Sequence, residues 1–273
     1  MTLLSVHDLS VTTADGARLV RDLSFELQAG ARLGVIGESG SGKSVTTLAI
    51  TGLLAPGLSA TGSAVLDGTE VIGAAEKVLV PVRGSAASVV FQEPLTALDP
   101  LMRIGRQVAE PLARHGRRRG APLRGGALRR AVVDALAEVN LSDERIASAF
   151  PHEISGGQRQ RAAIAIALAS RPKLLIADEP TTALDVTVQA GILALLDRLV
   201  DERGMALLFI SHDLAVVSSL VSDVIVMRGG EAVERGPIAT LLSTPSDPYT
   251  VSLVESARSL DAALDAATEG PVA

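Results

Sequence analysis

The chain has 273 residues, 47% of them hydrophobic and 21% charged, a globular balance that excludes a disordered chain and allows a substantial core. A net charge of −6 argues against nucleic acid as a partner, and the absence of Cys excludes disulfides, thiolate metal centres, Cys-ligated clusters and thiol catalysis. Aromatics are only 2%, so the core must be built from Val, Leu, Ile and Ala.

The first residues, MTLLSVHDLS, have neither the basic start nor the apolar run of a signal peptide. Strand-like runs follow at Leu3–Val11, Ser24–Leu27 and Arg32–Ile36. A glycine-rich turn leads into a helical segment, Lys43–Leu54, which ends before Pro56 and Gly57. Further strand pieces lie at Ser63–Leu66 and Ala87–Phe91. Between about 93 and 157 the texture changes: Ile104–His115 and Leu128–Val139 have helical spacing, and no convincing strand intervenes. Arg114 to Arg130 carries seven Arg in seventeen residues, which reads first as a solvated loop and helix face and second as a surface for an anionic membrane or acidic partner.

The second half alternates. Gln158–Ser170, Thr187–Glu202 and Leu214–Val221 read as helices, and Lys173–Ala177, Ala206–Ile210 and Asp223–Met227 as buried strands. Continuous apolar strands between helices indicate a parallel sheet covered on both faces, with the middle helical stretch inserted into it. The longest small-apolar run, Ala162 to Ala169, falls far below the ~18 residues of a spanning helix, so any service to a membrane is expected to be peripheral.

Three segments carry chemistry. Gly37, Glu38, Ser39, Gly40, Ser41, Gly42, Lys43 and Ser44 fit G-x-x-x-x-G-K-[ST], after an apolar strand and at the start of a helix. There the backbone can wrap phosphates, Lys43 can reach the β- and γ-phosphates, and the Ser44 hydroxyl can ligate Mg²⁺. The strand Lys173–Ala177 ends in Asp178 and Glu179, at the edge where a parallel sheet presents its ligand crevice. Asp178 is placed to hold the metal through its water shell and Glu179 to polarise the attacking water; in isolation the pair reads equally as a helix cap. Ser155, Gly156, Gly157 and Gln158 open a helix with an N-cap and open N–H groups, a second anion site with no obvious occupant in its own chain.

Taken in order, these segments resemble the ATPases of the ABC family. Ile154-Ser155-Gly156-Gly157-Gln158 looks like their signature, usually LSGGQ. The phosphate loop comes first, then a Q-loop glutamine at Gln92, the signature, Asp178-Glu179, a D-loop at Ala183-Leu184-Asp185, and His212 after an apolar strand. The resemblance covers nearly the whole chain. It implies an α/β P-loop fold with a mostly parallel sheet core, an N-terminal antiparallel β subdomain and an inserted α-helical subdomain at about 93–157. It also implies one domain over 1–273, with a family-specific tail at about 236–273. ATP and Mg²⁺ are the implied cofactors, with Gln92, Ser44 and Asp178 on the metal side. Glu179, His212 and Gln92 take the catalytic roles, and Asp185 joins the signature residues at the nucleotide. Two such domains pair head to tail in that family, which supplies the occupant missing at Ser155.

Finer fragments resemble the dipeptide, oligopeptide and nickel importers: Phe91 to Pro100 around the Q-loop, and Pro245-Ser246-Asp247-Pro248-Tyr249-Thr250 near the end. They imply a motor at the cytoplasmic face of the cell membrane, under two transmembrane permeases. A sister motor chain is preferred over a second copy, and an extracytoplasmic solute-binding protein feeds the complex. The alternative solute is nickel or a metal chelate, and an exporter or a non-transport ATPase is a more distant reading. Two departures stand out. Residues 11–16, Val-Thr-Thr-Ala-Asp-Gly, offer no aromatic to stack on adenine, and the tail lacks the Cys of many relatives.

Overall fold

Alternation along buried strands explains the central architecture. In the computed structural model, which describes residues 1–93, 97–182 and 184–268 (side chains through 259), Leu174 and Ile176 face one core while Leu175 and Ala177 face the other. The same split runs through the neighbouring strands: Leu208 and Ile210 face the first core, Leu207 and Phe209 the second. A strand with both faces covered needs apolar residues at every position, which is why these segments read as continuous runs.

Ten described strands form two sheets. β1 (Thr2–Thr13), β2 (Arg18–Gln28), β4 (Leu58–Leu66) and β5 (Thr69–Glu70) make an antiparallel sheet in the order β2-β1-β4-β5. The central sheet has the order β10-β9-β3-β8-β7-β6, from β3 (Arg32–Ile36), β6 (Ala87–Val90), β7 (Leu174–Asp178), β8 (Ala206–Ser211), β9 (Asp223–Arg228) and β10 (Glu231–Pro237). All of its pairings are parallel except β9 with β10. The first core fills the space between this sheet, α1 (Lys43–Ile50) and the antiparallel sheet. The second lies beneath α6 (Gly156–Leu168) and α7 (Val186–Arg203) and continues into the central helices.

Between β6 and β7 the described residues hold no strand. They form α3 (Ile104–Arg118), α4 (Gly125–Glu138) and α5 (Glu144–Ser148), packed on one another and against α6. Val108, Val132, Leu136 and Ile146 are buried there, continuous with the core under the sheet. The Arg-rich stretch spans the end of α3 and the start of α4; its Arg117, Arg119, Arg124, Arg129 and Arg130 are exposed, as a solvated face requires.

Boundaries differ from the sequence reading where tertiary contacts intervene. The first helix ends at Ile50 rather than Leu54, with Thr51 as its C-cap, the hydroxyl donating to the Thr47 carbonyl (2.7 Å). Gly52 then takes a left-handed φ of 65°, where a Cβ would meet Leu79 at 2.6 Å. α2 (Glu76–Val82), which contains Pro81, carries too weak a pattern to have been anticipated. The same holds for β10 on the sheet edge, with its largely exposed residues. The last helices are α8 (Leu214–Ser218), α9 (Ile238–Ser243) and α10 (Pro248–Thr268). Among the described residues no helix is long and apolar enough to cross a membrane.

Candidate active site

Strand register builds the site. Ile36 of β3 lies opposite Ser211 of β8, Asp178 of β7 opposite Ile210, and Val90 of β6 opposite Ala177. Four parallel strands therefore end level, and the residues just beyond them (Gly37, Gln92, Glu179, His212) share one edge. An open cleft of about 590 Å³ lies there, lined by Glu38 to Val45 of the loop and by Gln92, Glu179, Thr182 and His212. Leu19 of β2 closes one side.

The loop from Gly37 to Gly42 needs its glycines where the backbone crowds. At Gly37 (φ 155°) a Cβ would sit 2.1 Å from the Met227 carbonyl oxygen, and at Gly42 (φ 99°) 2.6 Å from that of Leu19. Lys43 is 4% exposed, and its ammonium donates to the Gly37 (2.7 Å) and Glu38 (2.9 Å) carbonyls. Burial pushes the Lys43 amine down, partly offset by the charges of Glu179, Asp178 and Glu38. A cation held this way, at the head of a helix and beside inward-facing glycines, suits a polyanion such as a triphosphate.

Glu179 is the hub of the opposite wall. Its Oε2 accepts from the Thr182 hydroxyl (2.9 Å) and the Gln92 amide (3.3 Å) and lies 3.2 Å from His212 Nδ1. Its Oε1 is 3.8 Å from the Lys43 ammonium. The backbone of Glu179 is left-handed (φ 47°), an uncommon conformation for a side-chain-bearing residue, and its N–H donates to the Ile210 carbonyl (2.9 Å). The next strand thus fixes where the carboxylate points. Beside it, Ser44 donates to Asp178 Oδ1 (3.0 Å). Burial pushes the Asp178 carboxyl up; the Ser44 hydrogen bond and the Lys43 charge oppose this, and Glu179 adds to it. A hydroxyl, a carboxylate and the nearby Gln92 amide form an all-oxygen donor set of the hard kind that fits Mg²⁺. Chemically, the wall can orient a water next to a bound phosphate chain.

The signature residues lie elsewhere. Ser155 caps α6, accepting from the Gln158 N–H (3.3 Å), while Gln158 Oε1 accepts from the Ser155 N–H (2.8 Å). The N–H groups of Gly156 and Gly157 stand in the helix's first turn, where no intrahelical acceptor exists. Gly157 is demanded by packing, since a Cβ would lie 2.6 Å from Val188. Asp185 caps α7 through the Val188 N–H (3.0 Å). None of Ser155 to Gln158, nor Asp185, lines the cleft of their own chain.

Sequence reasoning overlooked Thr182, whose only local signal is its place three residues after Glu179, and Leu19. Residues 11–16 do not line the cleft, and the residues that do include no Phe, Tyr or Trp. Pro94 to Thr96 of the Q-loop fragment, Ala183 of the D-loop and residues 269–273 of the tail lie outside the described residues.

Comparison with known proteins agrees with this arrangement. The family model described as ABC transporter matches residues 20–182, more than half of the chain. The oligopeptide transport ATP-binding protein OppD of Salmonella typhimurium is 45% identical over 262 residues, 95% of this chain and 77% of that protein. The dipeptide transport ATP-binding protein DppD of Lactococcus lactis subsp. cremoris is 40% identical over 268 residues, 96% and 76% of the two chains. Among solved structures, the dimeric post-hydrolysis ATP-binding cassette MJ0796 bound to ADP and Pi superposes with a TM-score of 0.76 at 28% identity, covering 86% of this chain and 98% of that one. A phosphate loop, an acid-tipped strand and a cassette fold thus meet in one chain, which belongs to the ABC transporter family as an ATP-hydrolysing, ATP-binding subunit.

Proposed function

We propose that this chain is the motor of a peptide importer, hydrolysing ATP at the Lys43–Glu179 cleft to drive uptake of di- or oligopeptides. The observation that carries the catalytic part is the convergence of Gln92, Thr182, His212 and Lys43 on one half-buried carboxylate at the level ends of four parallel strands. The peptide part is supported by the likeness to the oligopeptide and dipeptide transport proteins over nearly the whole chain.

In this reading the loop amides, Gly37 to Ser44, hold the phosphates, and the Lys43 ammonium reaches the β- and γ-phosphates while keeping its bond to the Gly37 carbonyl. Glu179 orients and polarises the attacking water, and His212 contacts the γ-phosphate. Ser44, Asp178 and Gln92 would hold Mg²⁺, which supplies charge neutralisation of the phosphates when bound. Positioning and charge stabilisation carry the step, because phosphoryl transfer asks for little covalent chemistry from the protein. The helical insertion at about 93–157 takes movement from Gln92 to two permease subunits at the cytoplasmic face of the membrane. The tail from about 236 belongs to the importer branch, and a solute-binding protein delivers the cargo.

Ser155 to Gln158, with Asp185, serve the nucleotide of a second motor chain, a sister subunit in preference to a copy. Support comes from their position outside their own cleft, with first-turn N–H groups free to meet an anion. The test is peptide uptake into cells or vesicles carrying the complete transporter. Uptake should require ATP and stop with Glu179→Gln. Normal peptide uptake by that variant, or loss of nickel uptake alone, would move the function elsewhere.

A further inference from the structure

The C-terminal segment reaches the phosphate loop. After β10 the chain turns back on Glu234, whose carboxylate accepts from the Ser246 N–H (2.9 Å), the Ser246 hydroxyl (2.8 Å) and the Asp247 N–H (3.1 Å). Asp247 Oδ1 in turn accepts from the Tyr249 N–H (2.8 Å) at the start of α10. Two ends of the segment are thereby pinned, and the Tyr249 ring lies under the Arg228 guanidinium, 4.9 Å from it. The phenol oxygen then accepts from the Glu38 N–H at 2.8 Å.

That N–H belongs to the same rigid peptide unit as the Gly37 carbonyl, which accepts from the Lys43 ammonium at 2.7 Å. In a trans peptide the C=O and N–H point opposite ways, so a group bonded to each grips the plane from both sides. Tyr249 holds one side of the Gly37–Glu38 peptide and Lys43 holds the other. The plane cannot turn about its neighbours without losing both bonds. Gly37 also rests against the Met227 carbonyl, next to the Arg228 that covers Tyr249, so the same strand end seats both the loop and the ring.

We propose that Tyr249 is a positioning residue for the nucleotide loop: through the Gly37–Glu38 peptide it sets where the Lys43 ammonium lies, and so couples the C-terminal segment to nucleotide affinity. The inference rests on the cleft being the ATP site, as proposed above. Tyr249 touches neither substrate nor reacting atoms; it acts through the loop.

The chain has one Tyr and no Trp, so its near-ultraviolet emission reports on this ring. With the full chain purified, MgATP should change the tyrosine emission, and Lys43→Ala, which weakens binding, should shift that change to higher ATP concentration. Tyr249→Phe keeps the ring under Arg228 and removes only the hydroxyl. By calorimetry, because this variant has no tyrosine left, it should weaken MgATP binding by about three- to tenfold, the worth of one neutral hydrogen bond, with the apo melting temperature nearly unchanged. Glu234→Ala, which frees the segment, should weaken binding in the same direction, and the two changes together should be less than additive. A Tyr249→Phe variant that binds within twofold of the parent, while Lys43→Ala binds weakly, would overturn the coupling and leave the ATP site standing. Tyrosine emission indifferent to saturating MgATP would do the same. If Lys43→Ala binds as the parent does, the site assignment itself falls, and the coupling with it.

Discussion

The two anion-facing ends of this molecule are built to opposite plans. At the Lys43 cleft, residues from β3, β6, β7 and β8 converge and pair with one another: Lys43 on loop carbonyls and Glu179, Asp178 on Ser44, His212 on Glu179. At the start of α6, the Ser155 and Gln158 side chains bond to one another's backbone N–H, and among the described residues no charged side chain bonds to either of them. The first gathers side chains from four strands around one cleft; the second is a single helix cap. A cap that satisfies itself locally stabilises the helix, yet it leaves Gly156 and Gly157 presenting amides to whatever arrives from outside. On the function proposed above, the contrast assigns this chain the water-activating half for one nucleotide and the clamping half for another.

Breaking the cleft at its hub should give the largest effect. Glu179→Gln should lower hydrolysis by about 10²- to 10⁴-fold, the scale of one general base, while ATP affinity stays within about twofold. Phosphate release and calorimetry on the same preparation measure the two. Hydrolysis close to the parent rate would move the base away from Glu179.

Breaking the helix cap sharpens the comparison further. In the assembled transporter, Ser155→Arg should cut hydrolysis at the partner's loop by about a hundredfold, on the scale of losing transition-state donors. ATP binding at this chain's own Lys43 should survive. Loss of binding at the chain's own loop instead would refute the head-to-tail arrangement.

Lys43→Ala tests binding rather than chemistry. Removing a charge-assisted contact to phosphate should weaken the ATP Kd by about 10- to 100-fold. Unchanged affinity by calorimetry would count against the loop as the phosphate cradle.

The smallest effect concerns the clamp behind the loop. Partial burial pushes the Glu234 carboxyl up, but hydrogen bonds from Ser246 and Asp247 outweigh it and hold it at about 2, below its usual 4.5. A depressed acid contributes stability that is fully present above its unfolded value and is lost as pH falls through the folded one. The stability difference between the parent and Glu234→Gln should therefore be constant above that usual 4.5 and shrink toward a pH of about 2. Urea midpoints across that window measure it. The carboxylate is largely solvated, so a difference of more than about 2 kcal/mol would contradict the screening expected there.

Much of this was legible in the sequence because it is local. A glycine-rich turn between an apolar strand and a helix, an acid pair closing a continuous apolar run, and Ser155 with Gln158 three residues on each encode a backbone shape within a few residues. Their chain order identified the family and, with it, the two sheets and the helical insertion. What stayed hidden depends on residues far apart. Thr182 matters only because a left-handed Glu179 turns its carboxylate back toward it. β10 is too exposed to show a pattern, and α1 ends early at a left-handed Gly52 packed against Leu79, a contact no helical period contains.

Residue types and their spacing alone determined that this chain has a glycine-rich loop of the phosphate-binding pattern, carries an acid at a strand end and presents a capped, glycine-led helix. Only the tertiary structure decided which of these meet. Parallel register brings Gln92, Glu179 and His212 level beside Lys43, whereas the fold leaves Ser155 outside that cleft. It also carries Tyr249, more than two hundred residues along the chain, back to the Glu38 amide. Local sequence sets backbone conformation and charge; distance between chemistry-bearing groups is set by strand pairing and core burial, which no single segment contains.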